Sequence, residues 1–135
     1  MIEWYRVGFG LREIVADTVA VIHAALPGEL CTEEPVTIDY RDCFLQALGV
    51  DPLTADIEDL ARSANADTDL RQSIGAHRDD WLDLILATRI APAFAADRLT
   101  VLQHYPASQA ALARLCPDDS RLADRFEVFF GAVEL

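Results

Sequence analysis

The last eleven residues, from Arg125 to Leu135, constrain the fold more than any other stretch of the chain. The run Phe126 to Phe130 is aromatic and β-branched, a composition that favours a β-strand. Gly131 follows at the position where a two-residue type II′ turn needs glycine. The stretch therefore predicts a β-hairpin in which Gly131 and Ala132 form the turn.

Such a hairpin brings two carboxylates to one face of the sheet. With this turn, Phe130 pairs with Val133 and Phe129 pairs with Glu134. Glu127 lies two residues before Phe129, so it points to the same face as Glu134. Diagonal neighbours across an antiparallel pair are about 7–8 Å apart, and two glutamates at that spacing can close on one hard cation. We therefore predict that Glu127 and Glu134 form a metal site.

Length and composition indicate one ordered domain. The chain has 135 residues, of which 52% are hydrophobic and 25% charged. A chain of this size buries roughly 68% of its unfolded surface, enough for a true core. No run approaches about 18 consecutive apolar residues and no charged-then-apolar leader is present, so we predict a cytoplasmic protein that binds no membrane.

The charge balance is strongly acidic. The formal net charge is −12, and all 11 basic residues are arginine. A nucleic-acid-binding protein normally carries a basic patch, so we expect neither tRNA nor another nucleic acid as a partner. An acidic surface is better suited to a basic protein partner.

Cysteines and histidines do not predict a metal site. They are scattered along the chain, at Cys31, Cys43, Cys116, His23, His77 and His104. An odd number of cysteines without CxxC spacing indicates free thiols in a reducing compartment.

Hydrophobic spacing predicts several helices and a sheet. Helices are predicted at Leu11–Leu26, at Tyr40–Leu48, after a cap at Thr54, from about Asp79 to Pro92, at Ser108–Leu115, and for one turn capped by Asp119 or Ser120. Strands are predicted over residues 2–8, over Leu99–His104 and in the terminal hairpin, with residues 65–76 as a linker. The fold class is therefore α+β, with an antiparallel sheet of about three to four strands packed against four to five helices.

Four stretches together carry a family resemblance. Arg-Phe-Glu at 125–127, followed by a strand, a turn and Glu134-Leu135, resembles the catalytic core of class II lysyl-tRNA synthetases. The stretches at 1–6, 50–56 and 104–113 agree, and in this order they are most similar to the paralogue that attaches lysine to elongation factor P. That paralogue lacks an anticodon-binding domain.

The resemblance implies a fold, an activity and ligands. Residues 1–135 would form a single domain, the middle segment of a class II lysyl-tRNA synthetase-like catalytic domain with a partial class II-type antiparallel sheet. The implied activity is ATP-dependent activation of lysine or β-lysine and its transfer to a lysine of elongation factor P. The implied cofactors are ATP and Mg²⁺, with Glu127 and Glu134 holding the metal and Glu134 and Leu135 contacting ATP.

Glu3 and Tyr5 are the candidate substrate residues. The residues alone favour ordinary structural roles, with Tyr5 as a half-buried aromatic and Glu3 as a solvated edge charge. The resemblance places both on the second strand of the family's motif 2, facing the amino-acid pocket. There an acid and a phenol oxygen suit a substrate ammonium group through charge-assisted hydrogen bonds.

Several family elements have no counterpart in these residues. Motif 1, the phosphate-binding arginine of motif 2 and all of motif 3 are missing. We therefore expect the chain to be catalytically inactive by itself. The alternative is a non-catalytic acidic binding module that remains from such an enzyme. Unpaired sheet edges predict self-association, whereas the binding module predicts instead a 1:1 complex with a basic partner that weakens as salt rises.

Overall fold

The computed structural model describes residues 4–25 and 33–135. In these ranges the chain forms five α-helices and one four-stranded sheet. The helices are α1 (Leu11–Ala25), α2 (Tyr40–Leu48), α3 (Ile57–Ser63), α4 (Thr68–Ile74) and α5 (Arg78–Ile85). The strands are β1 (Val36–Asp39), β2 (Leu99–Pro106), β3 (Leu122–Phe130) and β4 (Val133–Glu134). The predicted α+β class is confirmed.

The sheet is mixed and follows the order β1-β2-β3-β4. β2 and β3 are antiparallel, as are β3 and β4, but β1 runs parallel to β2. The expectation of a purely antiparallel sheet is therefore wrong at one edge. The physical reason is that the helical crossover from α2 to α5 lies between β1 and β2, and a crossover of that length permits parallel pairing.

The sheet is covered on both faces. Alternation along β2 sends Leu99 and Val101 to one face, where they form a small core with Val128 and with α1. Leu102 and Tyr105 join the larger core on the other face, which α2, α3, α5 and parts of α4 cover. Trp81, on α5, is fully buried there, and its indole Nε1 donates a 2.9 Å hydrogen bond to the Gly75 carbonyl.

The helix boundaries follow their capping residues. α2 spans the predicted residues, with Asp39 before it and Gly49 after it in the left-handed conformation. α3 is capped by Asp56 rather than by the predicted Thr54, because the Asp56 carboxylate accepts a 2.8 Å hydrogen bond from the Asp59 amide. α5 continues into a π-helical turn at 86–90 and then a 3₁₀ turn at 91–93, where the helical segment ends.

Three predicted elements are wrong. Residues 65–76 are not a linker, because Asp67 accepts a 2.9 Å hydrogen bond from the Leu70 amide and so starts α4. The helix predicted at 108–115 is only a 3₁₀ turn at 107–109, since Ala111 adopts a φ of 51°. The helical turn predicted at 119–120 is replaced by a short turn leading directly into β3.

The strand predicted over residues 2–8 is also absent from its described part. Residues 4–6 are irregular and Val7 and Gly8 form a turn, with Gly8 at a φ of 84°. Trp4 Nε1 donates a 3.0 Å hydrogen bond to Asp17 of α1, and Arg6 forms an ion pair with the same carboxylate. The segment therefore packs back on α1 instead of pairing with a strand.

No helix within residues 4–25 and 33–135 is both long and apolar enough to cross a membrane.

A candidate cation-binding cleft at the C-terminal hairpin

The C-terminal hairpin has the register predicted from the sequence. Phe129 pairs with Glu134 and Phe130 pairs with Val133. Gly131 has a φ of 56°, whereas Ala132 keeps a negative φ. Positive φ at the first central residue alone distinguishes a type II′ turn from type I′, which needs it at both.

The hairpin forms one wall of a cleft of about 400 Å³. Apolar and polar side chains both line it, and the polar ones come from α5, β2, β3 and β4. Its lining residues are Asp83, Leu86, Ala87, Ala91, Tyr105, Arg125, Glu127, Phe129, Ala132 and Glu134. Both predicted glutamates are among them, together with a third carboxylate and one arginine, so the lining has an excess of negative charge.

Glu127 is held firmly from two sides. The Tyr105 hydroxyl donates a 2.5 Å hydrogen bond to Oε2, and the Arg125 guanidinium forms an ion pair with Oε1. Arg125 is itself fixed, because it donates a 2.6 Å hydrogen bond to the Gln109 carbonyl and lies 4.6 Å from the centre of the Tyr105 ring. The position of the Glu127 carboxylate is therefore set before any ligand arrives.

Glu134 is in a different situation. Its carboxylate has no hydrogen bond or ion pair to any residue in the described part of the chain. Partial burial raises the pKa of Glu134, and the negative charge of Glu127 raises it further, with Arg125 opposing both. A bound cation would relieve this repulsion.

A third acid, Asp83, comes from α5. Partial burial raises the pKa of Asp83, and a 2.6 Å hydrogen bond from Gln109 Nε2 to Oδ1 partly offsets this. Tyr40 lies behind the cleft, with its ring 4.6 Å from that of Tyr105. Its buried hydroxyl has no partner among the described residues.

The donor set of the cleft fits a hard cation. Mg²⁺ takes oxygen ligands and usually keeps several waters, so two carboxylates suffice on the protein side. Glu134 offers a carboxylate that no residue of 4–25 or 33–135 engages, and each Glu127 oxygen retains acceptor capacity beyond its one hydrogen bond. The residues present therefore fit the metal that the sequence predicts.

Other predicted site residues lie elsewhere. Tyr5 is 80% exposed and borders a separate surface depression with Trp4 and Arg6 next to α1. Glu3 lies outside the described residues. Leu135 does not line the cleft, and its amide donates a 2.9 Å hydrogen bond to the Val128 carbonyl.

Sequence reasoning missed three polar residues of the cleft, namely Asp83, Tyr105 and Arg125. Arg125 could have been found, because it is two residues from Glu127 on the same strand and so shares its face. Asp83 is 44 positions away from Glu127 along the chain, and no local pattern marks it.

Fold and cleft together define an α+β protein with an acid-lined cleft beside a terminal hairpin. Over its full length the chain is similar to the elongation factor P–(R)-β-lysine ligase of Pseudoalteromonas translucida (strain TAC 125), with 36% identity over 137 residues. The corresponding ligases of Photorhabdus laumondii and Proteus mirabilis are 34% and 35% identical over 136 and 137 residues. No protein-family model matches the chain.

The family resemblance predicted from the sequence is thereby confirmed. Each alignment covers 100% of this chain but 41% of the relative, so the chain spans about two fifths of the length of these ligases. The chain is homologous to one segment of elongation factor P–(R)-β-lysine ligases.

Proposed function

We propose that this chain forms the carboxylate side of the nucleotide site in an ATP-dependent ligase that activates lysine or β-lysine and attaches it to a lysine of elongation factor P. One observation carries the proposal. Glu127 and Glu134 line the same cleft, in a chain that is similar from end to end to ligases named for (R)-β-lysine and elongation factor P.

In this proposal the two glutamates have unequal roles. Glu127 is the fixed ligand, because Tyr105 and Arg125 hold it in place. Glu134 is the adjustable ligand, since its carboxylate has no competing partner among the described residues. Bound Mg²⁺ would supply neutralisation of the negative charge on the ATP phosphates. Leu135 is proposed to contact ATP together with its neighbour Glu134.

Glu3 and Tyr5 remain the proposed contacts for the ammonium group of the substrate amino acid. The names of the relatives favour (R)-β-lysine as that substrate. Comparing the exchange reaction with α-lysine and (R)-β-lysine, in a protein that is active, is the measurement that decides between them.

Metal binding tests the cleft directly. Mn²⁺ is a suitable probe because its binding is followed by electron paramagnetic resonance. We expect wild-type protein to bind one Mn²⁺ in the cleft, with ten-fold or weaker affinity in Glu134→Gln and Glu127→Gln. Asp69→Asn, which removes an exposed carboxylate from α4, is the control and should bind as wild type does. Equal affinity in all four proteins would refute the site.

The 135 residues alone are expected to be inactive. Transfer of an acyl group through an adenylate depends on positive groups that stabilise the developing phosphate charge. The cleft has one basic lining residue in the described part of the chain, Arg125, and that residue is already engaged by Glu127 and Gln109. Incubation with ATP, Mg²⁺, lysine and labelled pyrophosphate should give no exchange above the blank. Exchange that disappears in Glu134→Ala would contradict the expected inactivity.

The second candidate function is a non-catalytic acidic binding module. The net charge of −12 favours it, since such a surface attracts a basic protein. This function predicts a 1:1 complex whose affinity falls as salt is added, and no nucleotide-dependent effect of Glu134→Gln. Elongation factor P is the first partner to test in this assay.

A further inference from the structure

A second cluster of metal-binding side chains lies outside the acidic cleft. One ring nitrogen of His104, Sγ of Cys116 and a carboxylate oxygen of Asp124 all lie within 4.8 Å of one another. All three residues are partly exposed, so the cluster is accessible to an ion from solvent. Imidazole, thiolate and carboxylate together are ligands typical of zinc.

We propose that His104, Cys116 and Asp124 bind a zinc-like divalent ion. Ligands around a tetrahedral zinc at 2.0–2.3 Å stand roughly 3.3–3.8 Å apart. The observed spread of up to 4.8 Å is about 1 Å wider than this range, so binding requires the three side chains to draw together. Three protein ligands leave a fourth position for water.

Two backbone features assemble the cluster. The first is a β-bulge: Gln103 pairs with Phe126 but Tyr105 pairs with Ala123, so His104 stands opposite two residues of β3. These two residues are Asp124 and Arg125. Successive side chains of a strand point to opposite faces, so Arg125 lines the cleft whereas Asp124 does not.

The second feature is an isolated bridge between Leu115 and Ala123. The Cys116 amide donates a 2.9 Å hydrogen bond to the Leu122 carbonyl, and the Asp124 amide donates a 2.8 Å hydrogen bond to the Arg114 carbonyl. Because side chains alternate along paired segments, those of Cys116 and Asp124 lie on one side of this bridge. Their contact is direct, with Sγ 3.2 Å from Oδ1 of Asp124.

Hydrogen bonds prepare the individual ligands. His104 Nδ1 lies 2.8 Å from Oδ1 of Asp39, and Gln103 Nε2 donates a 2.9 Å hydrogen bond to the same oxygen. A carboxylate that accepts from one ring nitrogen of a histidine orients the other nitrogen for a metal, which is the usual outer-shell arrangement at zinc sites. Asp39 is therefore a positioning residue, and Nε2 of His104 is the nitrogen left to bind the ion.

Asp124 is prepared in a similar way. Arg114 Nε donates a 2.7 Å hydrogen bond to Oδ2 of Asp124, which leaves Oδ1 toward Cys116. Binding of the ion replaces the thiol proton of Cys116, so one proton is released to solvent for each ion bound. The bound ion would tie the segment before β3 to β2.

Cobalt titration of the untagged 135-residue chain tests the proposal. A thiolate bound to Co²⁺ gives a near-ultraviolet charge-transfer band, which hard carboxylate sites such as the acidic cleft do not give. We expect one Co²⁺ per chain with this band, and displacement of Co²⁺ by Zn²⁺. Cys116→Ser should abolish the band, and Asp124→Asn should weaken binding at least ten-fold.

Further variants separate loss of ligands from loss of fold. His104 has a φ of 56°, a conformation that asparagine tolerates, so His104→Asn keeps the backbone while removing the ligand. It should weaken binding at least ten-fold with an unchanged circular dichroism spectrum. Asp39→Asn should weaken binding 10–100-fold but leave the visible cobalt spectrum unchanged, because the ligands remain.

Cys31→Ser is the control for thiolate binding elsewhere, at a position outside the described residues. It should bind Co²⁺ as wild type does. Saturating Zn²⁺ should raise the melting temperature of wild type and of Cys31→Ser by more than that of Cys116→Ser, in which only the acidic cleft is left to bind the ion. Absence of the charge-transfer band in wild type, or its survival in Cys116→Ser, would overturn the proposal.

Discussion

The hydroxyl of Tyr105 donates a 2.5 Å hydrogen bond to Glu127, and the two residues lie on adjacent strands on either side of the β-bulge. This contact links the buried core to the acidic cleft. Tyr105 is only 2% exposed, whereas the Glu127 carboxylate lines the cleft. The core therefore fixes the position of the proposed metal ligand.

Removing that hydroxyl should cost stability. Tyr105→Phe keeps the ring but leaves a partly buried carboxylate with one donor fewer, and a hydrogen bond to a charged group contributes about 1.5–3 kcal/mol. Urea unfolding should show a loss of about that size. Tyr40→Phe is the matched control, because its buried hydroxyl has no partner among the described residues, and it should be neutral or stabilising. If Tyr40→Phe cost as much as Tyr105→Phe, the hydrogen bond would not be the cause.

The pH dependence of stability should change in Glu134→Gln. The pKa of Glu134 is raised in the folded state by burial and by Glu127. The folded protein therefore binds this proton more tightly than the unfolded chain does. Stability from this group is fully present below the unfolded pKa and is lost as pH rises through the folded pKa.

Glu134→Gln removes this loss. Relative to wild type, the variant should gain free energy of unfolding as pH rises from 4 to 7, as measured by urea unfolding at each pH. Asp118→Asn, which removes an exposed carboxylate outside the cleft, is the control. A difference between wild type and Glu134→Gln that does not change with pH would contradict the prediction.

Gly131 should resist substitution for a backbone reason. A Cβ at this position would come 3.7 Å from the Ala96 Cα, an ordinary contact, but its φ of 56° is unfavourable for alanine. Gly131→Ala should cost about 1–2 kcal/mol and weaken Mn²⁺ binding by displacing Glu134. Gly49→Ala, at a φ of 67° after α2, should cost a similar amount but leave Mn²⁺ binding unchanged. If the Mn²⁺ affinity fell equally in both variants, the loss would not be caused by displacement of Glu134 at the turn.

The two tryptophans should differ in their contribution to stability. Trp81 is fully buried and its indole is bonded to Gly75, so Trp81→Phe leaves both a cavity and an unpaired carbonyl. We expect a loss of about 2–4 kcal/mol. Trp4→Phe removes a partly exposed ring bonded to Asp17 and should cost about 1 kcal/mol or less. Chemical unfolding followed by far-ultraviolet circular dichroism measures both losses. Equal losses would contradict the prediction that burial makes Trp81 the larger contributor to stability.

Self-association should involve the β1 edge. β1 is a terminal strand of the sheet, and Val36 at its start is 43% exposed. An exposed strand edge pairs readily with another chain, and lysine on such an edge discourages this. Sedimentation velocity should show dimers or larger species that decline in Val36→Lys. Monomers alone, across the accessible concentration range, would count against association through this edge.

The sequence predicted the terminal hairpin and α2 because local signals determine both. Glycine at one turn position sets the register of the hairpin, and Asp39 and Gly49 bound α2. Local signals misled where a tertiary contact was stronger. The alanine-rich stretch after Gln109 favours a helix, yet it turns at Ala111, which has a φ of 51°, and then enters the bridge from Leu115 to Ala123.

The prediction of a strand over residues 2–8 was wrong for a related reason. Alternation predicts a strand only if a partner is available, and the segment at Trp4 and Arg6 instead contacts Asp17 of α1. The His104–Cys116–Asp124 cluster could not be found from spacing. Its members are 12 and 8 positions apart, and only the bulge and the bridge bring them together.

The bulge on β3 has a further consequence. Asp124 and Arg125 are consecutive and point to opposite faces, so one contacts Cys116 and the other forms an ion pair with Glu127 in the cleft. A deletion or insertion of one residue at this point would exchange the directions of the neighbouring side chains. The acidic cleft and the His104–Cys116–Asp124 cluster would then both lose charged residues through one mutation. The length of β3 at this point therefore constrains both proposed sites.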